Sequence, residues 1–132
     1  MALTAQVSFN ARQLIDVVDP TGDQHAATKL YVDQHVYNVE NLTQTGGTLT
    51  ANSDLVFVNA TDGNTTINLP AAASHRGRVF TVKKTDATAN TVTIDGKASE
   101  TIDGATTLVL TAQYETKTIA SNGTNWMIIT AS

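Results

Sequence analysis

The chain has 132 residues and no cysteine, with 15% charged residues, 5% aromatic residues and a formal net charge of −4. This length fits one domain with an appended arm, the missing cysteines exclude disulfides and thiolate–metal sites, and the acidic balance lacks the basic patch that nucleic-acid binding requires. No signal peptide or transmembrane run is visible, so we expect no membrane insertion.

Residues 1–22 are predicted to form an extended N-terminal arm. Apolar and polar residues alternate with a period of two over residues 1–12, which is typical of a strand. No hairpin partner lies nearby, so the free edge could pair with another protein or with a neighbouring copy. The alternative is a frayed terminus that becomes ordered only on assembly. The candidate residues for docking on a particle are the large apolar ones: Leu3, Val7, Phe9, Leu14 and Ile15.

A helix is predicted over residues 23–44, after a turn at Pro20. Asp23 is the candidate N-cap, because its carboxylate can accept the free N–H groups of the first turn. The apolar residues that follow recur at spacings of four and three, which is the pattern of a coiled-coil seam. The seam covers about two heptads, and so short a helix is marginal alone in water. We therefore expect copies of the chain to share it, through Leu30, Val32, Val36 and Val39.

This stretch resembles a segment of many bacteriophage tail-fibre and related virion proteins. The matching positions are Asp19-Pro20, Asp23, Ala26-Ala27-Thr28-Lys29 and Tyr31-Val32-Asp33. His25 departs from the family pattern, which usually has an aspartate there. In those proteins the segment introduces a short trimeric helical bundle, so the resemblance implies that the helix forms a homotrimer.

Residues 45–132 are predicted to form an antiparallel β-domain. Gly46-Gly47 ends the helix, and short apolar or alternating runs follow, separated by turn signals such as Asn122-Gly123. The predicted fold class is therefore mainly β with one short N-terminal helix, an antiparallel, jelly-roll-like β-sandwich that follows the helical bundle. The predicted strands are residues 54–59, 65–69, 78–84, 91–95, 106–111, 114–121 and 125–130.

The second half of the chain is similar to the β-domain at the end of many phage fibre and head-decoration proteins, which are commonly homotrimers. This resemblance adds to the first, because the same virion proteins carry both segments. The residues that carry it are Ile67-Asn68-Leu69-Pro70-Ala71-Ala72, Gly77 to Lys84, Asn90 to Ile94, Thr101-Ile102-Asp103-Gly104 and Ser121 to Trp126.

The sequence carries no recognisable catalytic or metal-binding motif. Its histidines, His25, His35 and His75, are not at a metal-ligand spacing, although three copies of His35 could meet around a three-fold axis. The acidic residues fall mostly in turns, where aspartate usually bonds its own backbone. We therefore predict no enzyme, no cofactor and no metal site within one subunit. Tyr114 and Trp126 are the candidate glycan contacts, although the alternating strand around Trp126 favours a core position.

The combined interpretation is a non-enzymatic phage virion protein, a homotrimeric short head fibre or capsid decoration protein. Its arm would dock on the major capsid protein or another virion protein, and its β-domain would project outward. The alternative is a tail-fibre or tail-tip protein that contacts a host surface glycan. The missing shaft and the few aromatic residues favour the capsid. Either protein would lie on the particle surface after synthesis in the bacterial cytoplasm.

Overall fold

The computed structural model describes residues 37–43 and 45–131, which belong to a compact unit that begins at Tyr37. The predicted arm and most of the predicted helix, with all their candidate residues except Val39, lie outside this part. Within it the chain forms nine strands and a 3₁₀ helix at Ala72–His75. The strands are β1 (Val39–Leu42), β2 (Gly47–Thr48), β3 (Leu55–Val58), β4 (Thr65–Asn68), β5 (Val79–Lys84), β6 (Val92–Asp95), β7 (Thr107–Leu110), β8 (Thr116–Ser121) and β9 (Trp126–Ala131).

The first six strands alternate between two sheets. In sheet A, β3 pairs with β1 on one side and with β5 on the other, and both pairs are parallel. In sheet B, β4 pairs in the same parallel sense with β2 and β6. One strand of sheet A and the following strand of sheet B therefore make one turn of a coil. The three turns β1–β2, β3–β4 and β5–β6 stack on one another as repeats do in a solenoid.

The last three strands close this coil with antiparallel pairs. β7 adds to β6 in sheet B, whereas β8 and β9 add to β5 in sheet A. The order is β1-β3-β5-β8-β9 in sheet A and β2-β4-β6-β7 in sheet B. The register between β8 and β9 shifts between Thr118 and Ile119, as at a β-bulge, which bends the edge of the sheet.

One hydrophobic core lies between the two sheets, because inward and outward side chains alternate along each strand. Val56 and Val82 from sheet A and Ile67 and Ile94 from sheet B are all fully buried. The two largest members of this core, Phe80 and Trp126, are stacked with ring centroids 5.2 Å apart. Large aromatic side chains of this kind dominate the free energy that burial contributes.

The predicted antiparallel, jelly-roll-like sandwich is wrong in its strand arrangement, since both sheets are mixed. All pairs among β1 to β6 in the described structure are parallel. The alternation of apolar and polar residues identified the strands correctly, but it is the same for parallel and antiparallel neighbours. The chain avoids hairpins here because each turn between consecutive strands carries it to the opposite sheet. The fold is mainly β, as predicted.

The predicted C-terminal part of the helix is also wrong, as is the domain boundary at residue 45. Val39–Leu42 is strand β1, and its four residues pair in parallel with β3. Val39 lies on this edge strand with 54% of its surface exposed, so it is not part of a helical seam. Tertiary pairing has overridden a local spacing that fits a helix and a strand equally well.

Seven strand predictions are confirmed, from β3 to β9, with ends that differ by at most two residues. The sequence prediction did not include β1, β2 or the 3₁₀ helix. The Gly46-Gly47 pair, interpreted as a helix-breaking linker, leads directly into β2. Gly46 has a φ of 60°, and a Cβ there would lie 2.0 Å from the Thr66 carbonyl oxygen, so this turn requires glycine.

Candidate functional site

The outward face of sheet A is rich in apolar side chains. We call it the apolar face, and define it by the outward residues Val39, Leu55, Phe57, Val79, Ala120 and Met127. Val79 lies opposite Ala120, which in turn lies opposite Met127, so these three form one continuous row across β5, β8 and β9. Val79 and Met127 are each 41% exposed. A row of exposed aliphatic side chains across paired strands is typical of a protein contact surface.

The remaining outward positions on the same face are polar but mostly uncharged: Asn41, Thr81, Lys83, Thr116 and Thr118. Thr81 and Thr118 face each other across β5 and β8, with their hydroxyl oxygens 3.1 Å apart. Lys83 is the charged residue among the outward positions of β5, and its ammonium lies 5.3 Å from the centroid of the Tyr114 ring. Tyr114 itself is 59% exposed. A face with so little charge can be covered by another protein at a low desolvation cost.

The outward face of sheet B is polar by contrast. Its aliphatic residue is Val109, which is 42% exposed. The other outward positions carry hydroxyl, amide or carboxylate groups, which water solvates well: Thr48, Thr66, Asn68, Thr93, Asp95 and Thr107. The two sheets therefore differ in the chemistry of their outward faces, and the more apolar face of sheet A is the candidate for contact with protein.

A polar cleft lies at the carboxyl ends of the three parallel strands of sheet B. Thr48, Asn68 and Asp95 end β2, β4 and β6, and they lie side by side in register. The cleft has a volume of about 490 Å³, and it continues between the 3₁₀ helix and the segment 96–98. It forms because parallel strands end at the same edge, whereas the connections after them turn away toward sheet A.

Hydrogen bonds from distant parts of the chain hold the wall of this cleft. Both carboxylate oxygens of Glu100 accept from the N–H of Ala72 at 3.0 Å, at the start of the 3₁₀ helix. The Ser121 hydroxyl donates to the carbonyl of Ala72 at 2.7 Å. His75 Nδ1 lies 3.0 Å from both the Ala71 carbonyl oxygen and the Ser74 hydroxyl oxygen, which holds the imidazole against the 3₁₀ helix. The wall is thereby preformed.

The most deeply buried charged pair, Lys84 and Asp86, stabilises a turn instead of forming a reactive site. Lys84 Nζ donates to Asp86 Oδ1 at 2.6 Å, and both side chains are almost fully buried. Burial by itself raises the pKa of Asp86, but hydrogen bonds from Lys84, Thr88 and the Ala60 N–H hold that pKa well below its usual range. All its partners belong to this one chain, so the network pins the β5–β6 connection to the turn after β3.

The two candidate glycan contacts, Tyr114 and Trp126, differ in exposure. Trp126 is fully buried against Phe80 and cannot stack on a sugar, so its prediction as a glycan contact is wrong. Its strand alternation pointed to this core position. Tyr114 is exposed on the turn before β8, with a positive φ of 65° that is uncommon outside glycine. Its role as a glycan contact stays a prediction.

Sequence patterns contained weak signals for the two surfaces. Residues 126–129 of β9 are all apolar, so side chains on both sides of this strand are apolar. Only one side can face the core, and Met127 lies on the other. Asn68 lies in a predicted strand and Asp95 was interpreted as a turn residue, and nothing in the sequence shows that β4 and β6 are neighbours. The surfaces therefore became visible only with the strand register.

Within the residues that the structure describes, no group of three His, Cys, Asp or Glu side chains could hold a metal ion. None of their helices is long and apolar enough to cross a membrane. Neither the protein-family models nor the curated proteins that were compared with this chain gave a match.

Proposed function

We propose that the protein is a non-enzymatic structural component of a phage particle that assembles as a homotrimer. The resemblance of residues 19–33 to virion proteins supports the location, and the apolar face supports assembly. The observation that carries the proposal is the row Val79–Ala120–Met127, in which a single chain leaves Val79 and Met127 exposed. In this proposal the N-terminal arm docks on the particle and the β-domain is displayed on its surface.

The dimensions of the apolar face explain why a second contact is needed. Five strands about 4.8 Å apart and about six residues of about 3.3 Å each give a face of roughly 20 by 20 Å, or about 400 Å². A stable interface buries about 800 Å² on each partner. The sheet face therefore supplies about half of what is needed. The short helix predicted before β1 is the candidate for the rest, and neither contact would hold three chains together alone.

The mass in solution tests the assembly. Multi-angle light scattering of the full chain should give about three times 14.0 kDa. Replacing Val32 and Val36 by Asp should lower this mass, because both residues lie on the predicted seam. Gln34→Asp is the matched control, since it adds a charge to the same predicted helix outside the seam. A well-folded single subunit, or a seam variant with unchanged mass, would contradict the proposal.

The location on the particle needs a separate test. Gold-labelled antibody against the protein should bind intact phage particles released from the strain that encodes it, and label on the capsid is the expected outcome. Label on the tail would instead support the alternative, a receptor-binding protein. If the protein is present in the lysate but absent from purified particles, the virion proposal is wrong.

A further inference from the structure

The polar cleft in sheet B has properties that self-assembly does not explain. It lies on the polar sheet, outside the apolar face, and its floor consists of strand ends whose backbone is already paired. The Leu49 N–H donates to the Asn68 carbonyl at 2.9 Å, and the Leu69 N–H donates to the Asp95 carbonyl at 2.8 Å. The side chains of Asn68 and Asp95 are thus carried on fixed backbone, which is the usual basis of a preformed site.

The polar side chains of the cleft are not used by the fold. Across the described residues, the side chains of Asn68, Asp95 and Lys97 make no hydrogen bond or ion pair. Asp95 is half-buried nonetheless. A partly buried carboxylate without a protein partner is available to accept hydrogen bonds from a ligand. The cleft therefore offers an acceptor, an amide and a cation that only solvent or a ligand can satisfy.

The backbone around the cleft is also under local constraint. Ala98 has a φ of 55°, which few residues other than glycine adopt. Gly96 is packed so closely that a Cβ there would lie 2.4 Å from the carbonyl oxygen of Glu100. Together with the Glu100 and Ser121 bonds to the 3₁₀ helix, these features fix both walls. The cleft is held open by the fold itself.

The composition of the lining defines the class of ligand. Asp95 and Lys97 have opposite charges, so neither an anion nor a cation would find a complementary field. One carboxylate is too few to hold a divalent cation. Hydroxyl groups donate and accept together, and can therefore satisfy Asp95, Asn68 and Lys97 at once. Pro70 and Ala98 supply apolar surface for the C–H face of a ring, and about 490 Å³ is within the usual range for small-molecule sites.

We propose that the cleft at the carboxyl ends of β2, β4 and β6 binds a neutral polyhydroxylated ligand of about monosaccharide size. Asn68 and Asp95 hydrogen-bond adjacent hydroxyl groups, Lys97 binds a third oxygen, and Pro70 with Ala98 packs against the ring. With few ligand atoms in contact and an open cleft, the dissociation constant is expected to be roughly 1 mM. The site does not depend on the trimer or on the virion location, so each proposal can fail without the other.

Amide chemical shifts of the isotope-labelled full chain test this directly. The probes are methyl α-glycosides of glucose, galactose, mannose and N-acetylglucosamine, each titrated to about 50 mM. At least one should produce saturable shifts centred on Asn68, His75 and residues 95–98. Absence of saturable shifts with all four probes, or shifts centred elsewhere, would overturn the proposal.

Substitutions distinguish specific binding from a general effect of sugar. Asp95→Asn and Asn68→Ala should each weaken binding at least 10-fold, because each removes groups that the ligand would contact. Asp62→Asn, in the exposed turn before β4, is the matched control for Asp95→Asn and should leave the dissociation constant unchanged. Thermal midpoints establish that the variants are folded. If Asp95→Asn and Asn68→Ala bind as the wild type does, the assignment of the site is wrong.

A comparison of a disaccharide with a monosaccharide distinguishes a sugar chain from a free sugar as the natural ligand. If the natural ligand is a chain of sugars, the disaccharide of the best monosaccharide should bind at least several-fold more tightly, since the cleft is open at one side. If it is a free sugar, the two should bind equally. Both outcomes support a polyol site and differ only in its source.

Discussion

The ammonium of Lys84 is completely buried, yet all three of its protons find acceptors. It donates to Asp86 Oδ1, to the Asp86 carbonyl at 2.9 Å and to the Thr88 carbonyl at 3.1 Å. Asp86 accepts in return from Thr88 and from the Ala60 N–H at 2.7 Å. Burying such a pair carries a desolvation cost that its hydrogen bonds offset, and removing one partner is strongly destabilising because the remaining charge is left without a partner.

Replacing Asp86 by Ala should therefore destabilise the β unit by about 3–5 kcal/mol. The physical reason is the desolvated Lys84 ammonium that would remain, together with the lost link to Ala60. Urea unfolding followed by tryptophan fluorescence measures this, because Trp126 is the sole tryptophan and lies in the core. Asp62→Ala, in an exposed turn, should change the free energy of unfolding by less than about 0.5 kcal/mol. Equal losses in the free energy of unfolding for the two substitutions would show that the buried network does not stabilise the fold.

The same carboxylate predicts a pH dependence. Its pKa is lower in the folded state than in the unfolded chain, where it is about 3.9. The stabilisation is therefore complete above the unfolded value and is lost as the pH falls below it toward the folded value. The free energy of unfolding should fall more steeply below about pH 4 for the wild type than for Asp86→Asn. Glu115, whose pKa is also lowered, is common to both proteins and cancels. Parallel curves would contradict the prediction.

At the scale of elements, the strand ends of sheet B are shaped by two glycines with different surroundings. A Cβ on Gly96 would lie 2.4 Å from the carbonyl oxygen of Glu100, which is backbone and cannot move away freely. A Cβ on Gly47 would meet the flexible side chain of Leu42 at 3.7 Å, an ordinary contact distance. Neither glycine has the positive φ that would strain an alanine. The two positions therefore differ only in the room available for a Cβ atom.

Gly96→Ala should therefore cost about 1–3 kcal/mol of stability through overpacking, whereas Gly47→Ala should be neutral or slightly stabilising. Chemical unfolding of both variants under the same conditions measures the difference. Because Gly96 follows β6 directly, its substitution should also disturb the amide shifts of residues 95–98. An equal loss of stability in both variants would mean that the close approach at Gly96 is not a constraint.

At the scale of the whole molecule, the outward face of sheet A is more apolar than that of sheet B. The apolar face is the candidate subunit contact, and the polar face of sheet B carries the cleft. This separation allows one molecule to assemble through sheet A and still present sheet B to its surroundings. It also provides a direct experimental comparison, because Val79, Met127 and Val109 have nearly equal exposed fractions of 41–42% on the two sheets.

Replacing Val79 and Met127 by Asp should weaken self-association at least 10-fold, because two charges would be buried in each contact. Val109→Asp, on sheet B, is the matched control and should leave the mass unchanged. Light scattering over a range of protein concentrations gives the dissociation constants. If the double variant assembles as the wild type does, the apolar face is not the subunit interface, whatever the predicted helix contributes.

The positions of strands β3 to β9 and most of their inward aliphatic residues could be predicted from the sequence alone. Alternation with a period of two is a local property, and residues such as Ile67, Val82 and Ile94 carry it within a few neighbours. The core position of Trp126 followed from the same pattern.

Only the tertiary structure decided which strands are neighbours. Val39-Glu40-Asn41-Leu42 fits the end of a helical seam as well as a strand, and its pairing with β3 makes it a strand. Thr48, Asn68 and Asp95 are distant in sequence, and the parallel register alone brings them to one cleft. The physical reason is that side-chain periodicity is set by each strand's own backbone, whereas pairing partner and direction depend on long-range hydrogen bonds and on the burial they permit.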